Sequence, residues 1–329
     1  MNKHLKGAFI AAAVALCSTA AFAETTIRIT LQLPENHPLG VNFAEWKEIV
    51  ERESKGELQV QIFPSAQLFK DKEVPQAVGS GAIEMGSASL TRFAGDVPAV
   101  DFVYLPFMLD TPEKIAAATG PNSPIRAKID SAVLEATNNR ILWWQAFGRT
   151  IYLSKDKALR TPDDIKGLKV RTFGKLLGWT AEALGGAPTL MSGSKQFLAY
   201  QQGAVDAGIT GITAVKSRKL YEVMEYLNLT YDSDIEFVAV MNNDVFEGLS
   251  ADLQKIVVDA GLTVEKNLRE KIAGLEAEAL EEVKDKITIV ELSDADRQKW
   301  RDATGGVVDR FTAEGGDLAK EIVDMLNEL

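Results

Sequence analysis

The 329 residues carry 47 acidic against 36 basic side chains, a formal charge of −11, with 46% apolar residues. An acidic surface repels phosphate backbones, which argues against nucleic acid as a partner. The length exceeds what one hydrophobic core usually serves, so two lobes are expected.

The first predicted element is an export signal. Lys3 and Lys6 precede an uncharged apolar run from Ala8 to Leu16, and Ala21-Phe22-Ala23 places small residues where a signal peptidase reads. Cleavage is expected after Ala23, making 1–23 a signal peptide and Glu24 the mature N-terminus. A run of roughly 15 apolar residues falls short of the about 20 that span a bilayer. Cys17 follows Leu16, where a lipoprotein signal wants Gly or Ala, so no lipid anchor is expected. Loss of the segment removes the one cysteine, His4 and two lysines, and takes the charge from −11 to −13. Disulfides, thiolate metal sites and cysteine nucleophiles are thereby excluded.

Thr25 to Leu33 alternates as a strand, with Ile27, Ile29, Leu31 and Leu33 on one face. After the turn Pro34 to Pro38, a helix places Phe43, Trp46, Ile49 and Val50 on one stripe. Leu58, Val60 and Ile62 form a second strand, a helix follows around Lys72 to Val78, and Ile83 to Ala88 forms a third strand. Strand and helix in alternation predict an α/β sheet with parallel crossovers. Helices are expected at Pro112 to Thr119 and Pro124 to Asn138, then an extended aromatic stretch from Arg140 to Ser154. Thr161-Pro162 starts a helix, Leu168 to Phe173 is a strand, and a second α/β set runs from Gly174 to Tyr231. Phe237 to Met241 is a further strand, and Ser250 opens a long helix to about Lys286. No low-complexity linker separates the halves. The expected architecture is α/β and two-lobed, lobe 1 at 24–148 and lobe 2 at 149–235. Residues 236–329 are shared, with the Arg140 to Ser154 segment and the long helix crossing the hinge.

Catalysis is hard to assemble from this chain. A Ser-His-Asp or Cys-His system needs an imidazole, and His37 alone remains after export. No Gly-x-Ser-x-Gly elbow, phosphate-binding loop or His-Glu-x-x-His motif occurs. The reading is therefore not an enzyme, and no cofactor or metal is expected; a secreted hydrolase is the rival class. His37, between a strand and a helix, reads as a hydrogen-bonding residue. Trp46, Trp179 and Trp300 read as packing.

The arginines carry more information. Arg171 lies inside the apolar strand Leu168 to Phe173, and Arg149 follows the aromatic run Trp143 to Phe147. A guanidinium in such a segment needs an anion, either a protein carboxylate or a bound acid, which its planar fork matches in two hydrogen bonds. Trp144, Gln145 and Phe173 stand near the arginines as candidate pocket lining.

From about Thr25 to Leu262 the chain resembles the substrate-binding subunits of tripartite ATP-independent periplasmic (TRAP) transporters, the DctP-like family. The motifs run in family order. Phe63-Pro64-Ser65-Ala66-Gln67-Leu68 is similar to F-P-x-x-Q-L, Gly81-Ala82-Ile83-Glu84-Met85 to G-A-I-D-M, and Leu105-Pro106-Phe107 to L-P-F. Thr161 to Arg171 is similar to T-P-x-D-L-K-G-L-K-I-R, Gln202 to Asp206 to Q-G-V-V-D, and Leu220 to Val223 to K-x-Y-E-V. The resemblance implies a monomeric periplasmic protein that takes up a small organic anion, foremost a carboxylate. It would deliver that anion to small and large membrane subunits. The resemblance also gives Arg171 the substrate carboxylate, with Arg149 at the second family arginine. Thr210 stands where the family's ligand-holding Asn falls, and Phe197 where it has a Tyr, so a sulfonate or a small amino alcohol is an alternative ligand. An ABC-type binding protein is the alternative transporter class.

Overall fold

The computed structural model describes residues 24–329; the expected signal peptide, its cleavage site and Cys17 lie outside them. Ten strands form one sheet: β1 (Thr25–Thr30), β2 (Leu58–Phe63), β3 (Met85–Ser89), β4 (Asn139–Ser154), β5 (Lys169–Thr172), β6 (Ala187–Leu190), β7 (Ala207–Gly211), β8 (Tyr226–Leu229), β9 (Asp234–Asn242) and β10 (Thr288–Glu291). Their order is β2-β1-β3-β9-β4-β7-β5-β6, with β8 pairing β4 and β10. Parallel pairs (β1 with β2 and β3, β5 with β6 and β7) sit on either side of the antiparallel β4.

The sixteen residues of β4 join the two halves. Its first part, Asn139 to Arg149, pairs with β9, and its last part, Thr150 to Ser154, pairs with β7 and β8. The handover falls at a bulge between Ala146 and Gly148. Gly148 has φ +109°, and a Cβ there would stand 2.3 Å from the Glu276 carboxylate, so both backbone angle and close approach require glycine.

The second element common to both halves is the long helix Ala251–Val283, capped by Ser250. Val257, Ala260, Val264 and Leu268 pack into the larger core, whereas Ala279 and Val283 belong to a second core with Ile151, Val215 and Leu227. Side chains of helix Pro38–Glu53 pin its first half: Trp46 Nε1 donates to Val257 O (3.2 Å) and Asn42 Nδ2 to Val264 O (2.7 Å). Trp46 and Trp300 are fully buried and Trp179 nearly so. Among the described residues no helix is long and apolar enough to cross a membrane.

Two boundaries differ from the sequence pattern. The first strand ends at Thr30, although Leu31 and Leu33 stay buried, because their carbonyls accept from the turn at Ala66 and Ser65 instead of a strand. Thr161-Pro162 opens only a single 3-10 turn, Pro162–Asp164, in which the Asp164 carboxylate accepts from the Thr161 N–H (2.8 Å). The start signal is present, but Gly167 at φ +77° turns the chain into β5 before a helix can extend.

Glu276, on the long helix, accepts from the Arg149 N–H (2.9 Å) at the point where β4 changes partners. Burial pushes its carboxyl up to about 7, opposed by that hydrogen bond and the Arg149 charge; Tyr231 and the buried Asp234 share its surroundings. A carboxyl raised in the folded state binds a proton the unfolded chain releases. This contribution to stability is complete below the ordinary value of 4.5 and is lost as pH rises through about 7. Glu276→Gln keeps the acceptor without the titration. Its melting temperature is expected to fall less than that of the natural protein between about pH 5 and 7.5; equal slopes in thermal unfolding would refute this.

Candidate functional site

The carboxyl ends of the parallel strands β1, β3, β5 and β7 point at one place, where open α/β sheets collect ligands. There a cavity is lined by Gln32, Asp71, Ser89, Phe147, Arg171, Phe173, Gly193, Thr210, Arg218, Ile235 and Phe237, with only ≈ 20 Å³ wide enough for water. Its lining comes from both halves of the sheet.

Arg171 projects from β5 and is 3% exposed. Its Nη1 donates to Ile209 O (2.7 Å) and its Nη2 to Met191 O (3.1 Å), while Nε is buried without a partner. The guanidinium lies over the Phe173 ring, 5.1 Å from its centre. Burial lowers its pKa to about 10, with Arg92 adding to the fall and Tyr200 and Asp71 opposing it, so it stays cationic at neutral pH. Gly208 makes this packing feasible: a Cβ there would stand 2.0 Å from the Tyr200 hydroxyl and 3.0 Å from the Arg171 Cβ. Among the described residues, the groups that hold the Arg171 fork are carbonyls and not carboxylates.

Of the six candidates, the fold brings Arg171, Phe173 and Thr210 together and leaves three outside the lining. Arg149 donates to Tyr231 O (2.6 Å) and stacks on the Tyr231 ring at 4.9 Å. In a regular strand it would share a face with Phe147, which lines the cavity; the bulge and the positive φ of Gly148 intervene. Trp144 donates from Nε1 to Asp130 (2.8 Å) and lies beside Arg126. Gln145 is one layer behind, accepting from Ser87 Oγ (2.9 Å) and donating to Asn42 Oδ1 (2.8 Å). His37 caps helix Pro38–Glu53 through Nδ1, and its Nε2 meets Thr213 Oγ1 (3.2 Å) from the other half. Burial, then the Arg218 charge, hold its pKa well below the ordinary value, so the ring is neutral.

Sequence reading missed Gln32, Asp71, Ser89 and Arg218. Asp71 sits in Lys70-Asp71-Lys72 and Arg218 in Lys216-Ser217-Arg218-Lys219, runs that look like solvated surface. Asp71 is 1% exposed; its Oδ2 accepts from Arg92 Nε (2.7 Å), and its Oδ1 is buried without a partner. Arg92, flanked by Thr91 and Phe93, carried the same apolar-context signal that singled out Arg171.

A wider groove of ≈ 460 Å³ lies between helix Pro38–Glu53, helix Ile212–Ser217 and the long helix. Its Lys216 is already paired with Glu278 and Glu282. Gln32, Asp71, Ser89, Arg171 and Arg218 of the smaller cavity each hold a buried polar atom without a partner, against Ser217 alone in the groove, so the smaller cavity is the better ligand site. Among the described residues, no group of three or more His, Cys, Asp or Glu side chains is placed to hold a metal ion.

The chain is 25% identical over 322 residues to the 2,3-diketo-L-gulonate-binding periplasmic protein YiaO of Escherichia coli, covering 96% of each. It is 27% identical over 325 residues to the C4-dicarboxylate-binding periplasmic protein DctP of Rhodobacter capsulatus, again covering 96% of each. Among solved structures, the sugar acid binding protein DctPAm of Advenella mimigardefordensis in complex with galactonate superposes with a TM-score of 0.88 at 24% identity, covering 93% of this chain and 99% of that one. A TRAP periplasmic solute binding protein from Polaromonas with bound D-erythronate gives 0.86 at 24% identity, covering 92% and 98%. The family model for the bacterial extracellular solute-binding proteins, family 7, matches residues 30–314, and this chain belongs to that family, DctP.

Proposed function

We propose that the chain is the periplasmic solute-binding subunit of a TRAP transporter. It holds a small organic anion between the two halves of the sheet and passes it, unchanged, to the membrane subunits. The observation that carries this reading is Arg171, a buried cation whose Nε has no partner, in a cavity built from both halves. A desolvated guanidinium is costly until an acid completes its hydrogen bonds, and a carboxylate completes them best. Relatives named for binding 2,3-diketo-L-gulonate and C4-dicarboxylates support an organic acid as cargo. Membership of the DctP family supports a TRAP system in preference to an ATP-driven permease.

The lobes in this reading are 24–148 and 149–235, with 236–329 shared, and the hinge runs through β4 at Gly148 and along the long helix. Opening separates the lining and admits the solute; closure traps it and forms the surface that the membrane subunits meet. The protein acts as a monomer. Small-angle scattering is expected to show a smaller radius of gyration at saturating ligand than without it, and the ligand is expected to be recovered chemically intact. An unchanged radius with a tightly bound acid, or turnover of that acid, would reject the reading.

Export with cleavage after Ala23 completes the proposal. Intact mass of material from the periplasm is expected to correspond to a chain starting at Glu24. A retained segment, or a lipid on Cys17, would overturn it.

A further inference from the structure

Resting on that solute-binding reading, we propose that the cavity selects short hydroxy acids of single negative charge. In this assignment Arg218 is a second cationic anchor beside Arg171, and Asp71 is the acceptor for the ligand's hydroxyl.

The two sides of the cavity differ in hydrogen-bonding sense. On one side stand two guanidinium groups. Arg218 follows the last turn of helix Ile212–Ser217 and packs against Gly193, where a Cβ would stand 2.3 Å from its Nη1. Its Nη2 is buried without a partner, as is Arg171 Nε. On the other side Asp71 Oδ1, Gln32 Oε1 and Ser89 Oγ are all buried without partners. Gln32 can present either end of its amide and Ser89 either role, but an ionised carboxylate only accepts. Asp71 is held through Oδ2 by Arg92 (2.7 Å), which fixes the direction of the free oxygen. A ligand that satisfies both sides has an anionic head for the arginines and a donor for Asp71.

Charge decides what that donor is. Of the side chains that line the cavity, Arg171 and Arg218 are cationic and Asp71 is the one carboxylate. They leave one positive charge, which a monoanion neutralises. A dianion would leave an unpaired negative charge and a zwitterion an unpaired positive one, each costly away from water. The donor is therefore a hydroxyl and not an ammonium. Size follows from the rest of the lining: beyond the groups above its one further polar side chain is Thr210, and Phe147, Phe173, Ile235 and Phe237 are apolar. The hydroxyls of a long polyol outnumber these partners.

Calorimetric titration of the mature protein with glycolate, lactate, 2-hydroxyethanesulfonate, propionate, alanine and succinate tests this. At least one short hydroxy acid is expected to bind about 100-fold or more tighter than propionate, alanine and succinate, because loss of the hydroxyl strands buried polar groups. Lactate against 2-hydroxyethanesulfonate tells which acid head fits; either winning supports the proposal. Asp71→Asn is expected to shrink the lactate-to-propionate ratio (or that of 2-hydroxyethanesulfonate to ethanesulfonate) to about fivefold or less while anion binding persists. Arg218→Gln is expected to weaken all monoanions roughly 10- to 100-fold. The natural protein's own hydroxy-to-deoxy ratio stands as the test should a variant not fold. Succinate or a six-carbon sugar acid bound tightly, with no short hydroxy acid within tenfold of it, overturns this inference and leaves the solute-binding reading intact. No acid bound at millimolar concentration, with Arg171→Ala indistinguishable from the natural protein, overturns both.

Discussion

Arg171→Ala is expected to weaken binding of the captured acid by roughly 30-fold to several thousand-fold, the span of about 2–5 kcal/mol that follows loss of one partner in a buried, hydrogen-bonded charge pair. The cause is specific to this position. Arg171 is 3% exposed and already tied to Ile209 O and Met191 O, so its guanidinium is oriented before the ligand arrives and little further ordering is required. Lysine keeps the charge but not the fork, and Arg171→Lys is expected to recover only part of the affinity. The unliganded variant should fold. Removing a lone buried cation relieves a desolvation penalty, which offsets the loss of the two carbonyl acceptors' partner. Ligand at about 100 times its dissociation constant should stabilise the natural protein by about 2.7 kcal/mol and the alanine variant far less at the same concentration. Calorimetry and thermal unfolding measure the two effects separately. A folded Arg171→Ala protein that binds within about threefold of the natural one, under roughly 0.7 kcal/mol, would remove Arg171 from the anion site.

How far the site could be read from sequence depended on whether burial was written locally. Arg171 sits between Val170 and Thr172 in an apolar strand, so the cost of its charge is visible in the sequence itself. Asp71 and Arg218 are flanked by lysines, and only the tertiary fold brings them to the cavity. Arg149 shows the converse limit. Its aromatic neighbourhood and the resemblance to the second family arginine point to the pocket, yet one bulge and one positive φ turn it to Tyr231. The strand and helix order was legible because side-chain periods of 2 and 3.6 are local properties. The pairing of β9 between β3 and β4 was not, because it joins residues from 85 to 156 positions apart. The long helix was legible to within a few residues at its end, but its role in tying two cores together rests on contacts no periodicity encodes.

Glu265→Ala is expected to produce the largest loss of stability of any single change considered, about 3–5 kcal/mol. Glu265 lies on the long helix and is fully buried. Its carboxylate takes both Arg126 nitrogens in a bidentate pair, accepts from Arg269 Nε (2.9 Å), and accepts from the Trp144 N–H of β4 (3.1 Å). Arg269 in turn donates to the buried Glu236 on β9 (2.8 Å) and to Thr119 O (3.0 Å). Burial acts to lower the Arg269 pKa, but Glu236 and Glu265 raise it further than burial lowers it, so this cation is held by both acids together. Without Glu265, Arg126 keeps the partly buried Asp130 as its one carboxylate, Arg269 keeps Glu236 as its one carboxylate, and the Trp144 N–H loses this acceptor. For a protein of this size the loss corresponds to a fall in melting temperature on the order of 10 °C. Replacing the cluster as a whole, with Arg126→Met, Glu265→Leu and Arg269→Met, should destabilise less than Glu265→Ala alone if unpaired charge is the main cost, although Glu236 then loses its cation. Thermal unfolding of the single and triple variants decides it, and a single variant melting within about 2 °C of the natural protein would show that the network contributes little. The network ties the long helix as far as Arg269 to β4 and β9, so in the proposed closure bending is expected beyond Arg269, towards Glu276 and Gly148, where β4 passes from one half of the sheet to the other.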